Sequence, residues 1–118
     1  MRGKKYQWFK IAENEDELTF PLNNLLTIEA NGKRVTLAKY NDQLFACAYA
    51  CPHASGILAE GYIDSIGNIV CPVHRYKFAL INGRNVSGEG YYLKIHPVKI
   101  GSDGIFIGFE ETGFLNFL

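Results

Sequence analysis

Two segments of the 118-residue chain repeat one order of residues: Cys51-Pro52-His53 and Cys71-Pro72-Val73-His74. Together they hold two of the three cysteines and two of the three histidines. A proline directly after each cysteine fixes φ and restricts the residue before it, so each pair sits on a stiffened bend. Strand-like runs flank both bends: "LFACAYA" before the first, "NIV" and "YKFALI" around the second. Two stiff loops, each bearing a soft thiolate and an imidazole, can close on a metal centre. Unrelated core cysteines and surface histidines would not be expected to match in order and setting.

The rest of the pattern is short strands broken by tight turns. "LLTIEA" meets "KRVTLAKY" across Asn31-Gly32, where both turn positions need positive φ. Further turn signals fall at Asn41-Asp42, Ser65-Ile66-Gly67, Asn82-Gly83 (read as a second two-residue hairpin turn) and Ser102-Asp103-Gly104. Regular turns between short strands predict an all-β antiparallel sandwich or small barrel. The acidic stretch "AENEDEL" breaks the pattern and predicts a turn, short helix or linker. The apolar tail "EETGFLNFL" is expected to pack on the sheet. No repeat or linker divides residues 1–118, so one domain is expected.

Twelve acidic and twelve basic residues balance to a formal net charge of zero. That argues against nucleic acid or an anionic membrane as partner, since both select basic surfaces. No apolar run reaches signal-peptide form or the roughly eighteen residues of a membrane span. An odd number of cysteines suits a reducing compartment better than a disulfide framework. A cytoplasmic location is expected.

A single zinc ion would accept two thiolates and two imidazoles, but structural zinc sites usually pair two cysteines on one knuckle. A two-iron cluster with two histidines replacing two cysteines on one iron is the other reading. The spacing C-x-H-x17-C-x2-H, at Cys51, His53, Cys71 and His74, resembles the Rieske motif. "CPHASGILAEG" is similar to that family's first cluster loop and "IVCPVHRYKFALINGR" to its second. The resemblance runs from the Trp8 strand to the "HPVKI…GIFIG" hairpin. It implies a Rieske-type β base carrying a small cluster-binding subdomain of two loops, and one [2Fe–2S] cluster. It also implies that Cys51 and Cys71 hold the inner iron, and His53 and His74 the outer iron through Nδ1.

Neutral imidazoles replacing two thiolates turn a dianionic centre into a neutral one, which accepts an electron more readily. Such centres span roughly −150 to +300 mV, against about −400 mV for plant-type clusters. High-potential family members carry an additional, disulfide-forming cysteine in each loop; Gly56 and Val73 stand at those positions. Serine and tyrosine donors found in those members correspond to Tyr76 and Phe78. Fewer hydroxyl donors stabilise the reduced state less, which predicts the low end of the range. The resemblance is therefore to soluble Rieske-type ferredoxins and to the small subunit of nitrite reductases. Two departures stand out. Arg75 replaces a glycine common after the second ligand histidine, and "NVSGEGYYLKIHP" replaces a covering Pro-Ala segment, offering Gly88, Gly90, Tyr91 and Tyr92. Arg75, Lys77 and Arg84 are read as solvated surface, with a docking patch for an acidic partner as the sharper alternative.

Other conspicuous residues have plainer readings. Cys47 shares strand parity with Phe45 and Tyr49 and is expected in the core. His96 is read as an ordinary strand residue, Trp8 as core, and Gly61 as serving backbone geometry. His96 alone cannot build a second, two-histidine iron site of the oxygenase kind. No G-x-G-x-x-G appears for a dinucleotide, and the length is expected to leave no room for a catalytic domain. What remains is a one-electron carrier between a reductase and an oxygenase or other oxidoreductase. The alternatives are a fixed subunit of a larger reductase such as nitrite reductase, a structural zinc module, and a redox sensor.

Overall fold

The computed structural model describes residues 4–53 and 55–111. Among these residues ten strands form: β1 (Tyr6–Ala12), β2 (Leu25–Ala30), β3 (Lys33–Tyr40), β4 (Gln43–Ala48), β5 (Tyr62–Ile63), β6 (Asn68–Val70), β7 (Lys77–Ala79), β8 (Ile95–His96), β9 (Val98–Gly101) and β10 (Gly104–Glu110). They make three antiparallel sheets, in the orders β1-β10-β9, β2-β3-β4-β8 and β5-β6-β7. The acidic stretch folds as a single 3-10 turn, Glu15–Glu17, capped by the Asn14 side chain, which accepts from the Asp16 N–H. The apolar end of the tail lies outside the described residues.

The four-stranded sheet is the middle layer, because its sequence is apolar on both faces. Val35, Thr36, Leu37 and Ala38 are buried in succession along β3. Val35, Leu37 and Ala46 pack with Ile107 and Phe109 of the β1-β10-β9 sheet. On the opposite face, Ala38 and Cys47 pack with Leu58, Ile69, Phe78 and Leu80 of the small sheet and its loops. Thr36, the polar residue in this run, donates its hydroxyl to the Ala48 carbonyl at 3.0 Å. The side-chain period of two thus builds two cores from one sheet. The second core is the floor of the Cys–His loops, since it includes Cys51 and Cys71.

Local turn chemistry mostly decides the connections. Asn31-Gly32 and Asn41-Asp42 all have positive φ, and Ala30↔Lys33 and Tyr40↔Gln43 pair across them, as two-residue primed turns require. Asn82-Gly83 departs from the expectation. Gly83 alone takes positive φ, and the bend spans Leu80–Gly83, closed by Gly83 N–H donating to the Ala79 carbonyl at 2.7 Å. Ala79 N–H donates to the Arg84 carbonyl at 2.9 Å, so four residues rather than two form the loop, and within it Leu80 is buried with its N–H still donating to the Gly67 carbonyl at 3.1 Å. Trp8 is also not core. It is 38% exposed on the outer face of β1, with Lys99 Nζ 4.5 Å from its ring centroid, while Phe9, of opposite parity, packs inward.

Candidate metal centre

The first loop leaves β4 and folds back on itself. Ala50 bridges Ile57, Cys51 N–H donates to the Gly56 carbonyl at 2.8 Å, and Ser55 N–H donates to the Cys51 carbonyl at 3.0 Å. Asn23 braces it from outside, its amide donating to the Ala59 and Gly61 carbonyls. A side chain at Gly61 would meet the Val70 carbonyl oxygen at 1.9 Å, so this glycine permits close backbone approach, as its reading anticipated. The second loop joins β6 to β7. Cys71 N–H donates to the Tyr76 carbonyl at 2.9 Å, and His74 and Arg75 both take left-handed conformations, φ 63° and 59°. That backbone explains why glycine suits the position of Arg75: a side chain there costs roughly 1–2 kcal/mol.

The two loops interlock at Gly56. A Cβ there would lie 2.8 Å from Val73 Cγ2 and 2.9 Å from Cys71 Sγ. Positions 56 and 73, where a disulfide was excluded, therefore do face each other. Cys51 and Cys71 are 2% and 0% exposed, unoxidised, and in direct side-chain contact. Burial, with the Cys51 thiol adding to it, pushes the Cys71 thiol up to about 11, while the Val73 N–H, 3.4 Å from its sulfur, opposes the shift. Two buried thiols side by side are a donor set that a cation would stabilise as thiolates.

The imidazoles lie together as well, with ring centroids 5.7 Å apart at 63°. His74 is exposed, whereas His53 is half-buried beneath an aromatic cover. Tyr76 stacks on it at 3.8 Å and 20°, and Tyr91 lies 5.3 Å away. His53 Nδ1 is fully buried and has no hydrogen-bond partner among the described residues. Such an orphan is costly unless a ligand takes its lone pair. His96 Nδ1 is orphaned too, but it lies in β8 against Phe109, apart from the Cys–His loops. Thiols paired at the floor and imidazoles paired at the rim fit a two-metal cluster better than one tetrahedral zinc.

The predicted residues come together as two pairs, Cys51 with Cys71 and His53 with His74, while Cys47 lies in the core beneath them, as expected, and His96 in β8. Cys47 is fully buried, and burial raises its thiol to about 12, with the Thr36 hydroxyl opposing. Phe78 is fully buried. The aromatic cover and its support were not anticipated. Asn85 is the keystone of the third segment. Its amide donates to the Lys77 carbonyl and to Glu89 Oε1, and its Oδ1 accepts from the Glu89 and Gly90 N–H groups. Ser87 Oγ accepts from the Lys77 N–H and bonds Glu89. The Ser87 hydroxyl first, then the Asn85 amide and the nearby His53, hold the Glu89 carboxyl below the usual range against the opposing effect of burial. The visible signal was the Asn-x-Ser-x-Glu run among glycines, the chemistry of side chain-closed turns.

A layered antiparallel base presenting two interlocked Cys–His loops defines a small β protein with a split thiol–imidazole centre. The chain belongs to the Rieske [2Fe-2S] domain family, which it matches over residues 7–91, and its cofactor is one Rieske-type [2Fe–2S] cluster. It is 29% identical over 76 residues to the ferredoxin component of the alkene monooxygenase system of Xanthobacter autotrophicus, covering 64% of this chain and 62% of that protein. It is 23% identical to the ferredoxin component of the naphthalene 1,2-dioxygenase/salicylate 5-hydroxylase systems of Ralstonia sp, covering 87% and 96%. The ferredoxin of carbazole 1,9a-dioxygenase from Nocardioides aromaticivorans IC177 shares its fold, with a TM-score of 0.71 at 20% identity, covering 83% and 93%.

Proposed function

We propose that Cys51 and Cys71 hold the inner iron and His53 and His74 the outer iron, and that the chain carries one electron at a time between a reductase and an oxygenase. When bound, the cluster supplies a reversible one-electron couple. The protein's part is to keep the thiols dry, to orient His53 under Tyr76 and to leave His74 at the surface as the point of closest approach for a partner. The observation that carries the reading is that the two loops hold, besides two buried thiols, a buried and partnerless Nδ1 on His53. An oxygenase system is favoured because the relatives are ferredoxin components of such systems. We read residues 1–118 as one Rieske domain working in the cytoplasm, where the free cysteines stay reduced. No helix of the described residues is long and apolar enough to cross a membrane.

Electron paramagnetic resonance of the dithionite-reduced protein tests the ligand set. Mixed ligation gives a lower average g than an all-cysteine cluster, and alanine at His53 or His74 should abolish that signal and lower iron content. Unchanged iron and spectrum in both variants would refute the assignment. A fixed subunit of a larger reductase is the second reading. It is favoured by the fold shared with a protein assigned as an NADH-dependent nitrite reductase small subunit from Mycobacterium tuberculosis, with a TM-score of 0.72 at 18% identity. Native size after purification from its own cells separates the two.

A further inference from the structure

A cavity of about 430 Å³ opens where the Ala48 end of the middle sheet meets β1 and β10. Ala48, Tyr49 and the 8% exposed Phe109 give it a partly apolar wall, with Val35 buried beneath them, and Lys33, Arg34 and Lys94 form a cationic rim. Glu110, also on the wall, is already engaged by Lys94 at 3.0 Å and by Lys4 at 4.0 Å. Among the described residues, Lys33 and Arg34 make no ion pair. They lie over aromatic rings instead. The Arg34 guanidinium is 4.3 Å from the Tyr49 ring centroid and donates through Nη1 to the Tyr49 hydroxyl at 3.3 Å, and Lys33 Nζ is 6.0 Å from that of Phe109. That single hydrogen bond leaves most of the guanidinium's donors unused while the ring restrains its motion. His96 reports the local potential. Burial first, then the Lys94 and Lys33 charges, lower its pKa, with the Gly108 carbonyl opposing.

We propose that this cavity binds a small organic anion, a carboxylate on a short apolar or aromatic body. The head pairs with Arg34 and Lys33, and the body lies against Ala48, Tyr49 and the exposed edge of Phe109. The volume suits such a ligand, since small-molecule sites run from roughly 300 to 1,000 Å³. A bare inorganic anion would satisfy the rim and leave the apolar wall unfilled. A neutral aromatic would fill the wall and leave the cations unmatched. The site also touches the redox loop. Tyr49 lies two residues before Cys51, and its carbonyl accepts from Leu58 N–H at 3.1 Å, so the residue under Arg34 also braces the first cluster loop.

Isothermal calorimetry on the cluster-loaded protein tests this, with benzoate as probe and benzyl alcohol and inorganic phosphate as comparisons. Benzoate should bind saturably at one site and shift the amide resonances of Lys33, His96 and Phe109. The comparison ligands should bind about tenfold more weakly or worse, the scale of one charge-assisted hydrogen bond. Arg34→Gln should weaken benzoate by about tenfold on the same ground. Lys33→Gln, on the same rim but without the Tyr49 contact, should weaken it severalfold and serves if the Arg34 variant folds poorly. Benzyl alcohol or phosphate binding as tightly as benzoate overturns the proposal, and so does unaltered benzoate affinity in Lys33→Gln.

Discussion

A methyl group added at Gly56 has nowhere to go, because the Val73 side chain and the Cys71 sulfur already occupy its place. Gly56→Ala should therefore force the two loops apart and lower iron per protein well below the parent's. The far-UV circular dichroism of the base should change little. Full iron loading in that variant would show that the loops can separate without loss. Cys47 has a different kind of constraint. Its thiol titrates near 12 when folded and near its ordinary 9.0 when unfolded. The unfolded chain thus loses its proton first, so the stabilisation is complete below pH 9 and disappears as pH rises toward 12. Denaturant unfolding across that range should show a shallower alkaline decline for Cys47→Ala than for the parent protein. Parallel declines would remove Cys47 from the account.

At the scale of elements, three segments meet over His53, and the third is held by side chains more than by a ladder. Asn85 and Ser87 tie it to Lys77 of β7, the strand that begins three residues after His74. Asn85→Ala removes Oδ1, the acceptor for the Glu89 and Gly90 N–H groups, and the donors to Lys77 and Glu89. Amide exchange across residues 85–91 should then accelerate while β3 and β4 stay protected. Iron loss to a chelator should quicken by about tenfold, the lower end of what supporting residues around metal sites contribute. Parent-like exchange and iron loss would mean that Tyr91 holds its place without the clamp.

The whole molecule sets the potential through what it places around the centre. The buried Phe78 carries no hydroxyl, and Tyr76 stacks its ring on His53. With few donors stabilising extra negative charge, voltammetry should give a midpoint near the low end of the family range, about −150 mV. A value toward the top of that range, about +300 mV, would mean that other donors reach the cluster. A formal net charge of zero provides no net-charge attraction toward a partner of either sign.

The amino-acid order by itself determined the chemistry of the centre and the β character of the chain. Thiol and imidazole identity is a property of residues 51, 53, 71 and 74 alone, and positive φ at Asn31-Gly32 or Asn41-Asp42 is decided within a few bonds. Tertiary structure decided what depends on distant partners. A four-residue loop with Gly83 bonded to the Leu93 backbone replaced the turn expected at Asn82-Gly83, and Trp8 faced outward because the β1 face of opposite parity holds the core. Tyr76 and Tyr91 cover His53, and Arg34 is pinned on Tyr49, because separate loops and strands converge there. Those contacts join residues 15 to 38 positions apart, a relation that local pattern does not encode.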